Sequence, residues 1–472
     1  MSRIELPQTL EEAHALILKL LDRIEALERR LGMNSHNSSR PPSSDPPEMP
    51  RFPKKKPSGR KPGGQPGHDG HQRVLFPAEQ VTSGEDLWAG ECEYCGRALP
   101  KGRGRVDAGD PQREQTVELP KTPPLVHERR CHGQECPFCR HVTWAKPSGG
   151  PLPAFGPRLQ ATIAILTGAY RLSKRAAQVV LRECFGIELS LGAVSKCEDH
   201  VSAAVAKPVD QARDFVRSQA ALHVDETSWK ERAKRVWLWV AVAACVTAFW
   251  ILPRRNKRAA QVVLDGFTGT LGSDRYVVYE DHPLRHRQLC HAHLRREFAA
   301  LAERKGSIRR LGRQLLAASD RMFEAWYDFK DGRIARATLQ RKLAPIRREV
   351  ERLLWRGGRL RDEKVAGLCS DLYLRRQALW TFAREPGVDP TNNAAEQALR
   401  HAVLWRRSSF GTWSERGSRF VERMLTVVAT LRQQGRSVEA WLTEAVRAHQ
   451  HGNRLPSLLP DRNSVSLARN AA

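Results

Sequence analysis

The most apolar stretch of the chain, residues 236–246 with their continuation 249–252, limits the fold more than any other segment. It is shorter than the ~20 apolar residues needed to cross a bilayer. Its Val, Trp and Phe content, closed by Pro253, suits strands buried at the centre of a sheet. Companions flank it. Residues 221–227 read as a strand with Leu222 and Val224 on one face and His223 and Asp225 on the other. Residues 237–246 and 248–252 read as two more strands. Residues 256–267 form an amphipathic helix with Ala260, Val263 and Leu264 on one side, and 276–279 read as a strand directly after Asp274.

Three strands, a helix and a strand are the opening order of an RNase H-like fold, in which the first and fourth strands are neighbours. That order brings Asp225 and Asp274 together. A third carboxylate, Glu396, lies in Asp-Pro-Thr-Asn-Asn-Ala-Ala-Glu-Gln-Ala-Leu-Arg (389–400), just inside a helix for which Asp389 looks like the N-cap and Pro390 the first residue. Two strands and a helix delivering three carboxylates suit a pair of magnesium ions, which serve to break and join phosphodiesters. A formal net charge of +26 over 472 residues makes DNA the expected bearer of that bond.

Length alone, at about 150 residues per domain, implies two to four domains. Residues 1–33 carry Leu10, Ala13, Ile17, Leu20, Ile24, Leu27 and Leu31 at alternating spacings of three and four, the seam of a coiled coil that would pair copies of the chain. Residues 34–75 are rich in Ser, Pro, Gly and Lys and form a basic linker, in which Lys54, Lys55 and Lys56 could track phosphates. Residues 76–150 hold Cys92-Glu-Tyr-Cys95 and Cys136-Pro-Phe-Cys139, two pairs suited to a structural zinc ion in a small ribbon-like module, with His127, Cys131 and His132 as substitutes for one ligand. Half of the ten cysteines fall in this region, which argues for metal in a reducing compartment over a disulfide framework. With no charged-then-apolar leader, a soluble cytoplasmic protein is expected.

Residues 151–210 turn helical. Ser173 caps and Gly186 stops one helix, Ser190 caps a second at 191–201, and the pair outlines a helix-turn-helix that offers Lys174, Arg175 and Lys196 to DNA. The core then occupies 211–300. Residues 301–385 read as a basic all-helical insertion, in which Trp355 and Trp380, like Trp405 beyond it, either stack on bases or pack in cores. Residues 386–445 complete the core with Glu396, a basic turn at 405–411 and a closing helix at 420–433, and 446–472 form a tail. Arg295 and Arg296 near the start of a helix, with Arg400, Arg406 and Arg407, are further candidates for phosphate contact.

These segments together resemble the insertion sequence 66 family of transposases, a group of bacterial DDE transposases. The resemblance is carried by Asn-Ser-Ser-Arg-Pro-Pro-Ser-Ser-Asp (37–45), Gly-Gly-Gln-Pro-Gly-His-Asp-Gly-His (63–71), the two cysteine pairs and His-Val-Asp-Glu-Thr-Ser-Trp (223–229). Gln-Leu-Cys-His-Ala-His-Leu-Arg-Arg-Glu-Phe (288–298) and Asn392-Asn393-Ala-Ala-Glu396 complete it. It implies a multidomain α+β protein with Asp225, Asp274 and Glu396 as the catalytic triad holding two Mg2+ or Mn2+ ions. The expected activity is cleavage at element ends and 3′-OH strand transfer into target DNA, with homo-oligomers and element-encoded accessory proteins as partners. The family tends to carry Gly after its second aspartate where this chain has Arg275, so Glu280 and Asp281 stand as rivals for that ligand, as Glu385 and Asp389 do for the third. A DNA-binding regulator without catalysis, or an RNase H-like nuclease without strand transfer, are the competing functions.

Overall fold

The computed structural model describes residues 9–31, 33–38, 73–102, 109–120, 122–146 and 153–460, so Lys54, Lys55 and Lys56 lie outside the described residues. The chain divides into two compact units, residues 50–124 and the remainder. In the smaller unit, Gln115 ties the 73–120 segment to itself, accepting from the Phe76 amide at 2.8 Å and donating to the Phe76 carbonyl at 2.9 Å.

The larger unit begins with α1 (Leu10–Leu31), whose Ile17, Leu20, Ile24 and Leu27 are exposed along one side of the helix. A short hairpin follows, β1 (Gly133–Glu135) against β2 (Val142–Trp144). Then come α2 (Pro157–Ala164), α3 (Lys174–Phe185) and α4 (Leu191–Ala204), the last two capped where the sequence suggests, with α4 running three residues past the expected end at 201. Ser173 and Ser190 accept from the amides of Ala176 and Ala193, and Gly186 ends α3 in the left-handed region. Helix α5 (Ala206–Arg217) leads into the sheet.

The sheet comprises β3 (Ala221–Glu231), β4 (Lys234–Val242), β5 (Thr247–Leu252), β6 (Thr270–Ser273) and β7 (Arg287–Leu289), with α6 (Lys257–Leu264) crossing between β5 and β6. Its order is β5-β4-β3-β6-β7, with β3, β4 and β5 antiparallel and β6 and β7 parallel to β3. First and fourth strands are therefore neighbours, as expected. The fourth strand is not where the sequence suggested. It precedes Asp274, and 277–279 is a single 3-10 turn. The Tyr276 amide donates to Asp274 Oδ1 at 2.9 Å, a local turn that competes with extension, and the buried Tyr279 hydroxyl donates to Glu226.

Strand β5 also departs from expectation. It is buried on both faces but lies at an edge. Helix α13 (Glu415–Gln433) seals that edge with side chains. The amides of Thr247, Phe249 and Ile251 donate to Thr430 Oγ1, Thr426 Oγ1 and Glu422 Oε2 at 3.1, 3.0 and 2.7 Å. Two residues of strand and four of helix both advance roughly 6–7 Å, so the partners stay in step. The covered edge cannot pair with another chain.

Beyond β7 run α7 (His291–Ala302) and the insertion: α8 (Gly306–Lys330), α9 (Arg336–Gly357), α10 (Glu363–Leu374) and α11 (Thr381–Arg384). It is all-helical, as expected, with its own core of Leu315, Met322, Leu339, Leu354, Cys369 and Leu372. At Gly312 an added Cβ would lie 2.3 Å from the Ala302 amide, so glycine is what lets α8 cross α7 this closely. Helix α12 (Asn393–Ser409) returns the chain to the sheet. It starts at Asn392, not at Asp389, because the Pro390 carbonyl is taken by the His291 amide at 2.9 Å. It also runs through 405–409, where a turn was expected; the turn comes at Phe410 and Gly411. Helix α14 (Val438–Gln450) extends past 446, and Leu458 beyond it is fully buried. Among the described residues no helix is long and apolar enough to cross a membrane.

Candidate active site

Asp225 sits mid-strand on β3, opposite Val240 of β4. Burial is the first reason its carboxyl is held well above the usual carboxylate range. The charges of Glu226, Asp274 and Glu396 push the same way, against one hydrogen bond from the Glu226 amide. Three carboxylates from distant parts of the sequence thus share one electrostatic environment. Glu226, on the opposite face of β3, is buried and paired. Arg255 donates to its Oε1 at 2.7 Å from Nε and 2.6 Å from Nη2, and Tyr279 donates to Oε2. Arg255 is itself held over the Tyr276 ring, 3.8 Å from its centroid.

Asp274 follows β6 directly, and its carbonyl accepts from Ser273 Oγ and from Arg287 Nη2. Strand β6 can lie this close to β3 because residue 272 is glycine; an added Cβ would meet the His223 ring at 2.5 Å. Glu280 is paired with Arg375 at 2.5 Å and Asp281 with Lys257 at 2.7 Å. Of the rivals for the third position, Asp389 faces Lys330 at 3.5 Å.

Glu396 occupies the first turn of α12. Its placement depends on Asn392, whose side chain does not cap the helix but reaches across to the sheet. Asn392 Nδ2 donates to the Val224 carbonyl at 2.9 Å, its Oδ1 faces His223 Nδ1 at 3.3 Å, and its amide donates to Cys290 Sγ at 3.1 Å. One buried asparagine thus fixes the helix bearing Glu396 to the strand bearing Asp225 and to the end of β7. Glu396 Oε1 is buried with no hydrogen-bond donor, 3.5 Å from His293 Nδ1 and 3.8 Å from Arg296 Nη2. Burial and Arg296 push His293 below the usual histidine range. A buried carboxylate oxygen without a donor, beside a crowded Asp225, is a donor set that a divalent cation would satisfy.

The expected phosphate contacts divide. Arg175, Lys196, Arg400 and Arg407 are exposed. Lys174 is ion-paired with Glu198 at 2.7 Å, Arg295 with Asp320, and Arg406 donates to Thr227 Oγ1 at 3.2 Å and Ser228 Oγ at 2.7 Å, so these three are engaged within the chain. Trp380 and Trp405 are buried in the cores, while Trp355 is half-exposed with Arg359 stacked 3.4 Å over it. On α8, Arg309, Arg310 and Arg313 line an open groove of about 370 Å³. Reading of the sequence assigned no role to Asn392 or Glu226. The first sits in a motif whose spacing was visible, whereas nothing local separates Glu226 from its neighbour.

The cysteine pairs, each in its own unit, make the same turn. Gly96 and Arg140 donate back to the carbonyls of Cys92 and Cys136 at 2.8 Å, with positive φ at both positions. Backbone amides at Cys95 and Tyr94 hold the Cys92 thiol low, and those at Cys139 and Phe138 do so for Cys136.

A family model described as Transposase IS66 family matches residues 154–419, more than half of the chain. A second, described as a family of unknown function (DUF6444), matches residues 3–74. An uncharacterized protein, y4hP, of Sinorhizobium fredii (strain NBRC 101917 / NGR234) is 27% identical over 410 residues, spanning 78% of this chain and 72% of its own. The 154–419 match takes in β3, β6, the insertion and α12, all the elements that bring Asp225, Asp274 and Glu396 together, and the chain belongs to the transposase IS66 family.

Proposed function

We propose that this transposase cuts DNA at the ends of its element and joins the freed 3′-OH to target DNA, using Asp225, Asp274 and Glu396 on an RNase H-like sheet. The observation that carries the reading is geometric: β3, which bears Asp225, lies beside β6, which ends at Asp274, and Asn392 ties the start of the helix bearing Glu396 to β3. The three would hold two divalent ions, Mg2+ or Mn2+. When bound, such a pair supplies activation of the attacking oxygen and relief of charge at the leaving one. The protein's share is placement. Asn392 fixes the third carboxylate against β3, and the Asp274 turn is pinned by Tyr276 and Arg287. Arg309, Arg310 and Arg313 on the insertion, with the exposed Arg175, Lys196, Arg400 and Arg407, offer phosphate contacts for element-end DNA.

Two accessory assignments accompany this. Each cysteine turn offers two thiolates suited to structural zinc, at Cys92 and Cys95 and at Cys136 and Cys139. The exposed side of α1, with Ile17, Leu20, Ile24 and Leu27, would pair with a second copy as a coiled coil, an arrangement suited to holding two DNA ends.

The test is strand transfer in vitro with magnesium, labelled cognate ends and a supercoiled target. Loss of one metal-holding carboxylate is expected to cost several kcal/mol of transition-state stabilisation, about a thousandfold in rate, in each of Asp225→Ala, Asp274→Ala and Glu396→Ala. End binding should persist in all three. Binding without any cutting by wild type would make the chain a regulator, and cutting without joining would make it a nuclease.

A further inference from the structure

Cys290, His293 and Glu396 come from three places: the cap of α7, its first turn and the first turn of α12. Their donor atoms all lie within 4.8 Å of one another. His293 Nδ1 and Glu396 Oε1, 3.5 Å apart, are both buried without a hydrogen-bond partner. Cys290 Sγ is buried too; it accepts the Asn392 amide at 3.1 Å, and the amides of His293 and Ala292 at the start of α7 also point to it. Thiolate, imidazole and carboxylate form a set that magnesium does not favour and that zinc and similar borderline ions do.

The geometry points to a second metal site, made by Cys290, His293 and Glu396, that takes a zinc-like divalent ion and shares Glu396 with the carboxylate triad. Three protein ligands leave one position open to solvent or substrate, the pattern of zinc sites that are not purely structural. Arg296, 3.8 Å from the same Glu396 oxygen, is partly exposed. Because one glutamate serves both sets, zinc at this site withdraws Glu396 from the magnesium ions and inhibits DNA processing. The binding stands on the geometry alone; the inhibition rests on the function proposed above.

Cobalt(II) reports the binding, since its thiolate complexes absorb in the near ultraviolet. Full-length wild type, Cys290→Ser and His293→Ala would be titrated in parallel, so that ions held by the other cysteines cancel in the difference. Wild type should bind one more ion per chain than either variant at matched free cobalt, with the variants' affinity there at least about tenfold weaker, as even loss of an outer partner costs that much. Thermal melting shows whether Cys290→Ser has folded, and the less buried His293→Ala carries the comparison if it has not. Equal stoichiometry and equal spectra in all three proteins would overturn the site. In a strand-transfer reaction at saturating magnesium, buffered zinc should inhibit wild type at concentrations at least about tenfold below those needed for the variants. Extra cobalt in wild type without that difference in inhibition would keep the site and count against a catalytic role for Glu396. No extra cobalt, with magnesium-dependent joining intact, would remove the site and leave the triad untouched.

Discussion

The sheet has two edges, and they are closed by different means. Along β5 the closure is periodic: Thr430, Thr426 and Glu422 of one helix meet every second amide of the strand. Along β7 it is irregular. The Arg287 carbonyl accepts from Thr381 Oγ1 at 2.6 Å, Gln288 Oε1 accepts from the Phe382 amide at 2.8 Å, and His291 Nε2 meets the Leu379 carbonyl at 2.7 Å. The periodic edge lies away from the carboxylates and belongs to the main core. The irregular edge joins that core to the insertion and ends at Cys290 and Asn392, from which Glu396 is hung. The contrast implies a division of labour: disturbing the β5 edge should cost stability, and disturbing the β7 edge should cost activity first.

The largest effect on stability is expected from Glu422→Ala. This carboxylate is 1% exposed, accepts from the Ile251 amide, and is paired with Arg213 at 2.9 Å and Arg419 at 2.9 Å. Removing one partner of a buried pair leaves the other uncompensated, at about 3–5 kcal/mol. Denaturant unfolding measures the loss, and turnover per folded molecule should hold. A proportionate fall in turnover would break the division.

Asn392→Ala should do the reverse. The Val224 carbonyl loses its donor, at about 1–3 kcal/mol. The larger consequence is that α12 is no longer fixed to β3, and a shift of about 1 Å in a reacting geometry costs about a hundredfold. Joining rates set beside melting temperatures decide the matter. If activity falls only in line with folding, α12 is positioned by its apolar packing of Ala395, Leu399 and Ala402 and the asparagine is incidental.

Those two residues also mark how far the sequence could be read. Caps were legible because their signals are local: Ser173, Ser190 and Gly186 do what such residues do at helix ends in any protein. The β3–β4–β5 run was legible from its apolar content. The carboxylates were legible through their motifs, although Arg275 left the second one contested. What was hidden depended on partners far along the chain. Tyr-Val-Val-Tyr (276–279) has strand-forming residues, yet Tyr279 is drawn inward by Glu226, 53 positions earlier, and tertiary context overrides propensity. The true fourth strand, Thr-Leu-Gly-Ser (270–273), is too short to show a period. That β5 is an edge cannot be seen without α13, which lies about 170 residues on.

A milder change sharpens the β5 side. Thr426→Val keeps shape but leaves the Phe249 amide without its acceptor, at about 1–2 kcal/mol by equilibrium unfolding. Thr430→Val should cost more, because Thr430 both accepts from the Thr247 amide and donates to its carbonyl at 2.9 Å. Equal costs would mean that the match between helix and strand is looser than the distances suggest.

The smallest effect is expected at Arg275, beside Asp274. Its guanidinium donates to Glu297 Oε1 at 2.5 Å and to Asp371 Oδ2 at 2.7 Å, so it fastens the loop after β6 to α7 and to the insertion. The side chain is 25% exposed and Asp371 keeps a second partner in Arg375 at 3.0 Å, so the network does not hang on this one group. Arg275→Ala should therefore cost about 1 kcal/mol or less, and a double-mutant cycle with Asp371→Ala should show a coupling no larger. Strand transfer is expected to survive it within about tenfold, because Asp274 is also held by its own turn with Tyr276 and by Arg287. A loss as deep as that of Asn392→Ala would shift the weight of the site from the α12 anchor to the Asp274 loop. The β7 edge would then matter chiefly as the place where the insertion grips that loop.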